Sequence, residues 1–209
     1  GFAPARWLAP TLAGAAFSAA LFLWLRLRAS AQGPADSSAR LAELQSRIRP
    51  HFLFNTLNTA AALVRVDPAR AEGVLEDLAQ LFRVALAEPG ASVALDEEIE
   101  LAQRYLAIEQ LRCGARLQLH WDIDEHVGAA RVPPLVLQPL VENAVRHGIE
   151  PALGGGRIRI GTRVVRGMAE VVVANTLADE PGRPGAGMAL ANVKERLRLL
   201  HDVAASIEF

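Results

Sequence analysis

Between residues 41 and 66, apolar and polar positions recur with a helical period. Leu41, Leu44, Ile48 and Phe52 form one apolar line, and Leu53, Phe54, Leu57, Ala61 and Val64 lie around the back. Arg47, His51, Asn55 and Asn58 fall on a narrow polar stripe beside them. A helix apolar on two sides is built for the inside of a bundle. The pattern predicts a long helix over about 38–66, broken at Asp67-Pro68, because proline lacks an N–H and disfavours helix in the residue before it. A second helix is expected over about 69–87, with Leu75, Leu78, Ala79, Phe82 and Leu86 as its apolar face and Pro89-Gly90 as its stop. Two such helices are too thin to bury their faces alone. Two copies would make a four-helix bundle, so a homodimer is expected.

The pattern then changes. A third helix is expected from Asp96, read as its N-cap, to Arg112, with Glu97 and Glu98 favourable in the first turn. LQLHWDI, residues 117–123, alternates as a strand with His120 on the polar side. PPLVLQPLVENAVRHGI, residues 133–149, returns to helical spacing. Its apolar face is Leu137, Leu140, Val141, Ala144 and Val145, and Glu142, Asn143, Arg146 and His147 project from the other arc. Gly154 to Gly156 read as a plain loop. Residues 157–165 and 168–174 pair as a hairpin around Arg166-Gly167. Residues 179–185, rich in Pro and Gly, read as a flexible lid before a last helix within 185–200. Helices followed by strands and helices again give an α+β chain.

Ahead of this body, residues 7–25 carry no charge, a run of nineteen. That is close to the roughly 20 residues a bilayer-crossing helix needs. Trp7 and Trp24 stand near its ends, where indoles favour the interface, and Arg26 and Arg28 after it favour a cytoplasmic C-terminal side, although Arg6 opposes them. A membrane helix with lipid around it is expected in residues 1–28, with residues 29–38 as a small, polar linker. A signal peptide and a buried helix are the alternatives. Gly1 at the edge of the apolar run and a strand just begun at SIEF imply that the chain continues on both sides.

The charges balance, at 22 basic against 23 acidic, so no large basic face points to nucleic acid. The one cysteine, Cys113, excludes an internal disulfide framework and a Cys-rich zinc site, which fits a reducing cytosol. Chemistry is concentrated in three strings. RPHFLFNTLN, residues 49–58, places His51 with Asn55 one turn on; a lone histidine there is more often a packed core residue. VENAVRHG, residues 141–148, offers an asparagine carbonyl, a hard donor suited to Mg²⁺, with basic neighbours able to face phosphate. An ordinary solvated helix face reads equally well. GAGMALANVKERLRLL, residues 185–200, runs from glycines into a helix whose N-terminus could receive a phosphate. A lone GxG before a helix is a weak signal.

In this order and spacing the three strings resemble the LytS-type family of sensor histidine kinases. HFLFN resembles that family's phosphoacceptor motif, VENAVRHG its N-box, GAGMALANVKERL its last glycine box, and RYLAIEQLR, residues 104–112, its linker helix. The resemblance covers roughly residues 41–209. It implies a dimerisation and phosphoacceptor region at 39–112. A GHKL-type (Bergerat-type) ATP-binding domain, an α/β two-layer sandwich truncated at its C-terminus, would follow at 113–209. It also implies roles. His51 would take the phosphoryl group from ATP, with Asn55 beside it, and Glu142 would orient a water or a proton. Asn143 would hold Mg²⁺ between the phosphates, Arg146 and His147 would face the triphosphate, Gly185 and Gly187 would hinge the lid, and Asn192 would join the nucleotide contacts. An imidazole suits the nucleophile's part because its neutral form carries a lone pair. A response regulator would receive the phosphoryl group, and the kinase region would lie in the cytoplasm beneath the inner membrane.

One position departs from the pattern. The strand MAEVVVAN ends in Asn175, where the resemblance leads one to expect an aspartate that accepts from the adenine amino group. An amide oxygen still accepts, without the charge that makes such a bond roughly twice as strong. A branch of the family that includes AlgZ is similar at this point. Two other functions therefore stay open: a degenerate dimeric docking protein without phosphotransfer, and an ATPase switch of the wider GHKL type. His51 on its polar stripe argues against the second.

Overall fold

The structure is a computed structural model that describes Phe22, Arg26 and residues 50–87, 92–176, 188–201 and 207–208. The chain divides into two units, Gly1–Arg47 and Ile48–Phe209. In the first, Phe22 and Arg26 are helical, and the Arg26 guanidinium lies 5.5 Å from the Phe22 ring centroid. The rest of the uncharged run 7–25, the linker 29–38 and the start of the long helix lie outside the described residues. Among the described residues no helix is long and apolar enough to cross a membrane.

The second unit opens with helix α1 (Pro50–Leu63). It ends at Leu63 rather than Val66: residues 64–66 form a turn, in which the Leu63 carbonyl accepts from the N–H groups of Val66 and Asp67 at 2.9 and 2.8 Å. Asp67 Oδ1 accepts the Arg70 N–H at 3.1 Å and Pro68 sits at the first helical position, where its missing N–H costs nothing. The Asp-Pro pair thus stops one helix by starting the next, α2 (Pro68–Leu86).

The buried faces of this hairpin differ from the predicted ones. Helix α2 buries Ala71, Val74, Leu78, Leu81 and Ala85; of the predicted line only Leu78 is buried, and Leu75 is 43% exposed. Helix α1 buries Thr56 and Ala60, while Phe54, Leu57 and Val64 stay exposed. Each helix carries two apolar lines, and the next helix of the chain covers only one of them.

That covering helix is α3 (Leu95–Cys113), preceded by the short strand β1 (Val93–Ala94). Its N-cap is Ala94, not Asp96, so the helix begins two residues before the polar signal suggests; Glu97 Oε1 accepts the Ala94 N–H at 3.2 Å. Leu95, Ile99, Ala102, Tyr105, Leu106 and Ile108 are all buried. Helix α3 packs against α1 and α2 on one side and against strand β2 (Leu117–Asp122) on another, so it is the axis of the unit. This is why it buries residues over a wide arc.

Strand β3 (Arg131–Val132) pairs antiparallel with β1. The main sheet has the order β2, β4 (Gly156–Val165), β5 (Met168–Asn175), with β2 parallel to β4 and β4 antiparallel to β5. The β4–β5 turn is the predicted Arg166-Gly167 pair, at φ 52° and 79°. Both residues are left-handed, as a two-residue turn matched to strand twist requires. His120 is exposed, as expected. Helix α4 (Gln138–Ala144) follows β3, and α5 (Met188–His201) follows β5. Ile158 and Ile160 of β4 meet Val141 and Ile149 in a fully buried core. The result is a mixed α+β unit.

Candidate functional site

His51 lies on α1, exposed, and Asn55 is half-buried one turn on. The Asn55 amide nitrogen lies 3.2 Å from His51 Nδ1 and 3.3 Å from Nε2, so the polar stripe read from the sequence forms a real contact. The next residue, Phe52, anchors this turn: its ring packs 4.8 Å from that of Tyr105 in α3. An exposed imidazole on a well-packed turn is held without being covered.

Helix α3 supplies what faces it. Tyr105, Glu109 and Arg112 follow one another at helical spacing. Glu109 is 3% exposed. Arg112 Nε donates to Glu109 Oε2 at 2.8 Å; its Nη2 donates to the same oxygen and to Glu150 Oε1 at 3.0 Å. Burial pushes the Glu109 carboxyl above its ordinary value of 4.5, Arg112 and then His51 pull it down, and Glu150 adds to the rise. His51, Asn55, Glu109, Arg112, Glu142, Arg146 and Glu150 together line a cleft of about 380 Å³, with Phe52, Tyr105 and Val145 in its wall.

Four of the predicted site residues therefore meet: His51, Asn55, Glu142 and Arg146. Asn143 and His147 are half-buried and do not line this cleft. Helix α4 ends at Ala144 and continues as a wider π-type turn over Val145–Ile149, closed by Glu150 N–H to Val145 O at 3.0 Å. Asn143 therefore stands on the α-helical part of this segment and His147 on the wider turn that follows it. Such turns often occur at functional sites.

Asn175 closes β5 beside this turn. A Cβ on Gly148 would come within 2.5 Å of the Asn175 amide nitrogen, so the absence of a side chain there is what lets strand and turn meet. That amide nitrogen donates to Thr176 O at 2.9 Å, which leaves the amide oxygen as acceptor. Asn192 is exposed on α5. Gly185, Gly187 and the stretch 179–185 lie outside the described residues.

Glu109, Arg112, Glu150 and Glu98 were missed in the sequence. Glu98 was read as a first-turn charge, yet it is 2% exposed and accepts the N–H groups of Leu135 at 2.6 Å and Leu137 at 3.0 Å. Leu135 holds a left-handed φ of 56° in the turn before α4, and Arg196 of α5 donates to Pro134 O in the same turn. The signal was present. Glu98, Ala102, Tyr105 and Glu109 recur at four, three and four residues, which puts two glutamates on a buried line. Cys113 is buried and its thiol is pushed up chiefly by burial, in keeping with a packing role.

Among the described residues no group of three or more His, Cys, Asp or Glu could hold a metal. Asn143 alone fits a cation carried largely by a ligand's phosphates, which is how Mg²⁺ is usually held.

A family model described as histidine kinase matches residues 39–117. The chain is 36% identical over 178 residues to sensor histidine kinase YpdA of Escherichia coli K12, covering 79% of this chain and 31% of the relative. It is 40% identical over 120 residues to sensor histidine kinase BtsS of the same strain, covering 57% and 21%. It is 29% identical over 194 residues to sensor protein LytS of Staphylococcus epidermidis RP62A, covering 86% and 33%. The chain thus spans about a third or less of the length of these relatives.

Proposed function

The chain belongs to the LytS-type histidine kinase family, and from that premise we propose that it is the kinase part of a membrane-anchored sensor of a two-component system. It autophosphorylates on His51 at the expense of ATP and passes the phosphoryl group to an aspartate of a response regulator. Residues 1–28 anchor it in the inner membrane, residues 39–112 form the dimerisation and phosphoacceptor region, and residues 113–209 bind the nucleotide in the cytoplasm.

One observation carries the reading: His51 and Asn55 share a cleft with Glu142 and Arg146, contributed by a segment ninety residues later. A merely structural histidine has no need of that company. The imidazole offers the nucleophilic lone pair, and the Asn55 amide steadies the ring. Arg146 neutralises phosphate charge and Glu142 orients a water or a proton. Asn143 and His147 bind the triphosphate from the adjoining side, Gly185, Gly187 and Asn192 serve the lid, and the Asn175 oxygen accepts from the adenine amino group. Mg²⁺ on Asn143 supplies charge neutralisation between the phosphates when bound.

The groove lined by Val64 and by Pro68, Leu75 and Ala79 of α2, with buried Ala71 among them, is the surface on which a second copy completes a four-helix bundle.

Calorimetric titration of the full-length protein with ATP tests the nucleotide site. Wild type and His51→Gln are expected to bind MgATP alike. Asn143→Ala should lose the Mg²⁺-dependent part of the affinity, and Asn175→Asp should keep or strengthen binding. Unchanged affinity in Asn143→Ala removes the metal assignment, and weaker binding in Asn175→Asp shows that this side chain does not face adenine. A degenerate docking role is the reading to adopt if the wild type binds no nucleotide; Asn175 in place of an aspartate is the feature that favours it.

A further inference from the structure

We infer that Glu109 is the electrostatic partner of His51, a positioning residue held in place by Arg112 that neutralises the charge the imidazole acquires when it takes a phosphoryl group. The inference rests on the proposed kinase function and deepens it.

The string around His51 supplies no acidic group: Pro50, Phe52, Leu53 and Phe54 are its neighbours. Phosphoryl transfer nevertheless builds positive charge on the ring. The lone pair of one ring nitrogen forms the N–P bond, and the P–O bond to ADP breaks with its pair leaving on ADP. The other ring nitrogen keeps its proton, so the imidazole ends as a cation bearing a phosphoryl group. Some group must compensate that cation in a partly enclosed cleft. Asn55 is a neutral amide and does not.

Glu109 meets the requirement. It lies on α3, behind the same cleft that His51 lines, and it is buried to 3% exposure, where a charge acts strongly. Its neighbours are fixed from each packed element: His51 on α1, Arg112 and Cys113 on α3 itself, Glu142 and Arg146 on α4 and the turn after it, and Glu150 beyond. Arg112, clamped between Glu109 and Glu150, draws the Glu109 carboxyl back down against the burial that raises it. The Tyr105–Phe52 ring contact one turn earlier fixes α1 against α3, and with it the approach of His51 to Glu109. A purely structural ion pair would serve equally well turned to solvent; here the carboxylate is buried in the wall of the cleft that His51 also lines.

The test uses the full-length protein with Glu109→Gln and Glu109→Asp. Autophosphorylation rates at saturating MgATP are followed across pH beside ATP affinity and thermal midpoint. Labelling by phosphoramidate, a small phosphoryl donor that needs no nucleotide site, is mapped to His51 by mass spectrometry. Glu109→Gln is expected to lower the rate roughly tenfold or more with unchanged ATP affinity and midpoint, and to flatten the acid limb of the pH profile. Glu109→Asp should recover part of the rate. Wild-type rate and profile in Glu109→Gln overturn the inference. So does a joint loss of midpoint, ATP binding and labelling that Glu109→Asp does not relieve, since that marks a structural pair. If the wild type takes no label from ATP, the kinase function itself has failed, and phosphoramidate then decides separately: slower labelling of His51 in Glu109→Gln supports the pairing, and equal labelling overturns it.

Discussion

At the scale of single residues, the two buried glutamates of α3 do different work with the same chemistry. Glu98 closes the turn before α4 by accepting two backbone N–H groups, and Glu109 faces the cleft of His51. Burial is the largest influence on Glu98 and raises its pKa; the N–H groups of Leu137 and Leu135 oppose it. The folded state therefore holds the Glu98 proton more tightly than the unfolded chain. Its contribution to stability is fullest below its ordinary value of 4.5 and is lost as pH rises through the raised folded value. The thermal midpoint of wild type minus that of Glu98→Gln is accordingly expected to shrink as pH is raised from below 4.5 toward neutrality. A difference that grows over the same range contradicts this account. His51, Asn55, Glu142 and Arg146 were legible because they stand in short strings with recognisable spacing. Glu98 and Glu109 were not singled out, because a glutamate on a helix looks solvated until the helix is known to be covered on two sides.

At the scale of elements, α3 decides the architecture. It lies against the hairpin and the sheet at once, with Leu106 fully buried. Leu106→Ala is expected to lower unfolding stability by about 2–5 kcal/mol, the range for emptying a packed leucine site. Urea denaturation measures it, and a loss within experimental scatter means that α3 is not the axis. Most elements were readable from period and punctuation: the Asp67-Pro68 break, the Arg166-Gly167 hairpin and the strand with exposed His120 all stand where the pattern puts them. Which of two apolar lines on α1 and α2 would be buried was not readable, because both lines are equally apolar and only the neighbour chooses. The wide turn at Val145–Ile149 also left no mark in the sequence, since its apolar residues keep nearly the spacing of an α-helix.

At the scale of the whole molecule, the bare line of α1 and α2 carries the proposed dimer. Phe54 is 64% exposed, and Leu57, Val64 and Leu75 are exposed beside it. A second hairpin would cover them. Leu75→Glu is expected to shift sedimentation from dimer to monomer, since it sets a charge in the centre of the groove, and an unchanged dimer shows that the partner uses another face. The order of the strings already pointed to one site assembled from distant segments. The cleft joining α1, α3 and α4 supports that reading within a single compact unit. The central claim is that this cleft phosphorylates His51. Its most direct test is to incubate the full-length protein and its His51→Gln variant with γ-labelled ATP and Mg²⁺ and to look for acid-labile label. Label on the wild type alone is the expected result. Label on neither, in folded dimers that bind nucleotide, or equal label on both, contradicts the claim.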